Sequence, residues 1–158
     1  MNITAQIAKQ FKELHYGGNW TGVNIKDTLA GVTLQEATTQ VHSFNTIATL
    51  VFHMNYYIAI VIKVLQGEPL SGSDKYSFDH EPILTDEDWK KLQDKYWADA
   101  EKFAALVELI PEHSLWETFI DEKYGSYYRN LHGIIEHCHY HLGQIVLIKK
   151  MIQQTGKV

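Results

Sequence analysis

Nine histidines and nine tyrosines stand in a chain of 158 residues, and imidazole is both the proton carrier of neutral pH and the commonest metal ligand. Four of the histidines, His132, His137, His139 and His141, fall in one stretch with helical periodicity. On a helix turning about 100° per residue, His137 and His141 lie about 40° apart on the face of Ile134, Ile145, Ile148 and Ile152. His132 and His139 lie opposite, beside Glu136, Gly143 and Lys150, on a solvated or partner-facing side. Two imidazoles one turn apart on a buried face have the spacing to hold one metal ion. His53 is the candidate third ligand, because it shares a helix face with Leu50, Tyr57, Val61 and Val64. Three neutral histidines leave a divalent cation an open position for water or substrate, which is a catalytic arrangement. The competing reading is a hydrogen-bonded core cluster, but three inward rings among Ile, Leu and Val have few partners to share.

These residues need helices to position them. Asn2 reads as the cap of a first helix carrying Ile3, Ile7, Phe11 and Leu14. Residues 15 to 32, with Gly17, Gly18, Gly22 and Gly31, read as turns, followed by one short helical piece over Thr33 to Thr38. Asn45 is expected to cap a second long helix through Ile47, Met54 and Leu65, stopped by Gly67 and Pro69. The connection from Gln66 to Leu84 is long enough to suggest a lid or a dimer contact. Thr85 to Asp88 reads as a capping box for a third helix that Pro111 ends, and a fourth helix is expected over Tyr127 to Gln154. The fold class is therefore all-α, an antiparallel four-helix bundle with long connecting loops, in a single domain over residues 1–158.

Composition narrows the partners. Lys+Arg 14 against Asp+Glu 19 give a net charge of −5, which lacks the basic footprint of a nucleic-acid binder. No leader and no apolar run long enough to cross a bilayer is read, and the single Cys138 can form no internal disulfide, so the expectation is a cytoplasmic protein with no membrane role. Cys138 itself reads as a small core residue. Glu136 reads as a solvated charge or a pair on the side of Lys150, with no catalytic role. His15, Tyr16 and Trp20 are placed in the glycine-rich loop, where they wall a pocket or pack on the surface. Tyr124, Tyr127, Tyr128 and Arg129 precede the last helix, where they contact a polar substrate or fill a subunit interface. Trp20, Tyr16, Tyr57 and Arg129 are the candidate substrate contacts. His42, His80 and His113 have no partner at ligand spacing.

The segments from Asn45 to Met54, bearing His53, and from Glu136 to Ile145, bearing His137, His141, Gly143 and Gln144, resemble the two signature stretches of the DinB-like superfamily, which includes the YfiT-like proteins. Trp20 to Gly22 and Leu29 to Thr38 are similar to that family's first connection, so the resemblance spans nearly the whole chain. It implies a DinB-like four-helix bundle in which His53, His137 and His141 hold a divalent metal, Zn or Ni first, with Fe or Cu also suited to three imidazoles. One position departs: Leu142 stands where many members carry Arg. The superfamily contains bacillithiol S-transferases, a mycothiol-dependent isomerase and metal-dependent hydrolases, and its members are commonly homodimers. The resemblance therefore implies a homodimeric enzyme acting on a small molecule, with either a low-molecular-weight thiol (S-transferase) or water (hydrolase) as the activated nucleophile. The alternative from another class is a non-catalytic dimeric helical bundle with a structural metal or a polar histidine cluster.

Overall fold

Helices in this chain begin where a short polar side chain satisfies the free N–H groups of the first turn. The computed structural model describes residues 2–155. Asn2 accepts from the Thr4 amide ahead of α1 (Ile3–Tyr16), which ends at Gly17 with φ 108°. Asn24 caps α2 (Ile25–Leu29), and Thr33 with Glu36 forms a capping box on α3 (Leu34–Thr38). Thr46 caps α4 (Ile47–Leu65). Thr85 and Asp88 form the second capping box, on α5 (Asp86–Leu109), and Ser126 Oγ accepts from the Arg129 amide in the first turn of α6 (Tyr127–Thr155). Among the described residues there are six α-helices, four of them long, three short 3-10 turns and no strand beyond one isolated bridge between Thr118 and Ser126.

The helix over Tyr127 onward, the short helical piece after Thr33 and the capping box at Thr85 lie where the sequence puts them, and the box at Thr33 is added by the structure. Two boundaries are corrected. Thr46, not Asn45, caps α4, because its hydroxyl is the one placed 3.1 Å from the Thr49 amide. The stretch 15–32 is not all turn: α1 runs on through His15 and Tyr16, and α2 buries Ile25 and Leu29 one turn apart.

The four long helices close a ring, with α1 packed on α5 and α6 and α4 packed on the same two. Phe11 and Leu14 from α1, Leu50, Met54 and Ile58 from α4, Tyr96 and Phe103 from α5, and Leu131 and Ile145 from α6 are all fully buried between them. Each such side chain contributes about 1.5–3 kcal/mol of transfer free energy. The short helices seal the ends: α2 touches α1 and α6, α3 touches α4 and α5, and the Trp89 indole donates to the Val32 carbonyl at 3.0 Å.

α4 corrects one further expectation. Its length and composition, with mean hydropathy 1.6, meet the requirement for crossing a bilayer; here 61% of that stretch is buried inside the protein. Lys63 is its only charged residue, and its Ile, Val, Leu and Ala side chains hold the mean high despite His53 and Asn55, which supply polar groups to the interior.

The connection from 66 to 84 does not wander. It returns along α4 as a strap, where the Tyr56 hydroxyl donates to the Ser73 carbonyl and accepts from the Ser73 amide, each at 2.9 Å. His80 Nε2 meets Thr49 Oγ1 at 3.0 Å further along the same helix. Gly72 lets the strap lie close to α4, since a Cβ there would stand 2.3 Å from Ile60 Cδ1 and push that side chain aside.

Candidate metal centre

α4 carries His53 and α6 carries His137 and His141 one turn apart, so the contact between these helices decides whether three rings meet. They do. His137 Nε2 lies 3.0 Å from His53 Nε2 and 3.1 Å from His141 Nε2, and one ring nitrogen from each residue falls within 4.8 Å of the others.

The outer nitrogens determine what the inner ones can be. His53 Nδ1 sits 3.1 Å from the Ser77 carbonyl, and a carbonyl only accepts, so the proton of His53 is on Nδ1 and a lone pair is on Nε2. His141 Nδ1 stands 2.8 Å from Gln144 Oε1, with the same consequence. His137 Nε2 therefore faces two lone pairs, while its Nδ1 is buried and without a hydrogen-bond partner. A proton on His137 Nε2 satisfies one neighbour at most and leaves the buried Nδ1 bare. A proton on Nδ1 orphans that N–H and turns three lone pairs toward one point. A cation at that point takes up all three lone pairs at once and leaves the Nδ1–H of His137 as the one ring group of the three without a partner. Nitrogens bound about 2.0–2.1 Å from a common ion stand about 3–3.4 Å apart, so the two observed spacings fit the group.

Electrostatics keep the rings neutral, the form that binds metal. Burial pushes His137 down to about 4, with His141 and His53 adding to the effect. Burial also lowers His53, opposed by the Ser77 carbonyl bond, and lowers His141, opposed by the Gln144 bond. Aromatic neighbours hold the rings in place. Phe78 stacks on His53 at 3.8 Å and 7°, Tyr57 meets His53 and His137 edge-on, and Tyr140 meets His141.

A cavity of about 670 Å³ adjoins the cluster, with His137, Tyr57, Asp74, Glu136 and Arg129 in its wall. Of the four candidate substrate contacts, Tyr57 and Arg129 lie on this cavity. Tyr16 lines a different one, of about 520 Å³, with Leu29 and Trp97, and Trp20 is 100% exposed. His15 belongs neither to a loop nor to a pocket. It is fully buried in α1, where Nδ1–H donates to the Phe11 carbonyl and Nε2 accepts from the Tyr96 hydroxyl, each at 2.8 Å. Burial, as the largest cause, pushes its pKa down to about 4.

His132 and His139 stay away from the cluster: His132 faces Glu136 at 3.4 Å and His139 meets the carbonyl of Ile135 on its own helix. Glu136 accordingly pairs with His132 rather than toward Lys150. Cys138 is a core residue whose thiol burial pushes up to about 12, so it is no nucleophile. Sequence reasoning missed the strap's contributions, the Ser77 carbonyl, the Phe78 ring and the Asp74 carboxylate. Asp74 Oδ1 accepts a hydrogen bond from the Tyr57 hydroxyl, which puts a carboxylate beside the site. Gln144 had a usable signal, since it follows His141 by three residues on the same helix.

Comparison with protein-family models, curated proteins and solved structures returned no match.

Proposed function

We propose that this chain is a divalent-metal-dependent enzyme of the DinB-like superfamily, built as a four-helix bundle, that activates a low-molecular-weight thiol or water against a small electrophile. The observation that supports it is the convergence of three Nε2 atoms, two of them with their lone pairs fixed inward by the bonds at Nδ1. His53, His137 and His141 would hold the ion, Zn or Ni in the first instance. A bound divalent ion would supply Lewis acidity, lowering the pKa of a thiol or of water toward neutrality.

The rest is the work of this chain's own groups. Ser77 and Gln144 hold two rings with their Nε2 lone pairs inward. Phe78 covers the outer face of His53, which keeps water from competing for that ring. Tyr57 keeps its proton on a hydrogen bond to Asp74, whose carboxylate is the proton acceptor beside the cavity. Because Cys138 is buried and protonated, a thiol used here arrives as a separate small molecule. In this reading the protein is a cytoplasmic homodimer with neither nucleic acid nor membrane as a partner.

The test is elemental analysis of untagged protein, followed by conjugation of bacillithiol and hydrolysis of activated esters with and without chelator. The proposal expects about one metal per chain and chelator-sensitive turnover that His141→Ala removes. Metal below about a tenth per chain after growth in Zn and Ni, or turnover unchanged in His141→Ala, overturns it in favour of a non-catalytic bundle.

A further inference from the structure

Arg129 is the only arginine in a chain of net charge −5, yet among the described residues it makes no ion pair with any carboxylate. Its Nη1 donates to the Tyr124 carbonyl at 3.0 Å, which anchors the guanidinium and leaves most of its donors unspent. The anchoring is built into the backbone. Gly125 adopts φ +75°, a conformation that favours glycine, and a Cβ there would stand 3.1 Å from Arg129 Cδ and press on that side chain.

The exposed Arg129 lines the same cavity as His137. Eight residues of α6 separate the two positions, about 12 Å along the helix axis. The lining carries Ile60, Val61, Leu70, Phe119 and Ile134 as its apolar part, beside the polar Tyr56, Ser73 and Asn130. Lys123 is the other cation there, but it faces Asp121 at 3.8 Å and the Tyr124 ring. Asp74 and Glu136 line the opposite, histidine end.

The geometry points to a substrate class: we infer that this cavity takes a molecule with an apolar body and a terminal carboxylate, the carboxylate on Arg129 and the reacting end toward His137. A guanidinium fork matches a planar carboxylate with two parallel bonds. One unpaired cation, in a cavity that also holds two acidic side chains, suits a single negative charge better than a phosphate's two. The inference rests on the metal-enzyme reading for which end reacts, but not for how the anion is held.

Isothermal titration of chelator-treated protein with octanoate, octanamide and octyl phosphate tests it apart from any metal or turnover. Octanoate is expected to bind about five- to ten-fold tighter than octanamide, and tighter than octyl phosphate. Arg129→Gln is expected to erase the octanoate advantage, with unchanged circular dichroism and unchanged zinc stoichiometry on reloading. Arg129→Lys, which keeps the charge without the fork, is expected to retain only part of it. Equal binding of octanoate and octanamide by the native protein, an advantage that survives in Arg129→Gln, or preference for octyl phosphate overturns the inference. Failure to find metal in the native protein would remove the enzyme reading and leave these titrations to decide the anion end separately.

Discussion

Acidification should destabilise this protein through His15, and the size of the effect can be worked out. In the folded chain both nitrogens of His15 are committed, Nδ1–H to the Phe11 carbonyl and Nε2 to the Tyr96 hydroxyl. A second proton would break the Tyr96 bond between two fully buried side chains. Burial is the largest cause of its depressed pKa, from 6.5 to about 4, with the Phe11 bond opposing and His139 adding a little. The unfolded chain takes up a proton near pH 6.5 that the folded chain refuses until about pH 4. The stability contributed by neutral His15 is therefore complete above pH 6.5 and is lost as pH falls through that window. Each pH unit across the gap costs about 1.4 kcal/mol, so the full loss is about 3 kcal/mol, of which about 2.5 kcal/mol falls between pH 7 and pH 4.5. Urea unfolding at both pH values, with chelator present, measures it. His15→Gln, whose amide can keep both contacts without titrating, supplies the reference, and the histidines of the metal centre contribute equally to both proteins. The native protein should lose about 2.5 kcal/mol more than the variant. Losses equal to within about 0.5 kcal/mol would refute the assignment of His15 as a neutral core group.

Other outcomes follow from the same contacts. Zinc at about 100 times its dissociation constant should add about 2.7 kcal/mol to the metal-free protein, a rise of several degrees in Tm by differential scanning fluorimetry, and His137→Ala should abolish the rise. Phe78→Ala removes the ring stacked on His53 and should weaken zinc about ten-fold in a chelator competition while leaving the far-ultraviolet spectrum intact. Phe103→Ala, which empties the ring site packed 4.4 Å from Phe11, should cost about 3–5 kcal/mol in urea unfolding. Cys138, buried with its thiol pushed up to about 12, should react with a thiol reagent only at the rate of global unfolding, and prompt labelling of the folded protein would contradict its burial.

Much of the helical framework is legible in one dimension because caps and helix faces are local. Asn2, Thr33 and Thr85 announce their helices within three residues, and His137 and His141 share a face because four residues make about one turn. The glycine run after α1 misled the same local logic: Gly17 ends the helix rather than marking a loop that includes His15, and α2 is too short for periodicity to declare itself. His53 could be recognised as a polar group on an apolar face and named as the candidate third ligand, but its place in the chain does not fix a contact with the other two. Only the packing of α4 on α6 brings its Nε2 to 3.0 Å from His137, since no local rule relates residues 84 positions apart. The strap is the sharpest case. Ser77, Phe78 and Asp74 sit in a segment with no periodicity, and their relation to His53 and Tyr57 exists only because the chain doubles back along α4. Helix spans and side-chain faces follow from neighbours in the chain, whereas tautomers, orphaned nitrogens and cavity walls follow from neighbours in space, which tertiary packing alone supplies.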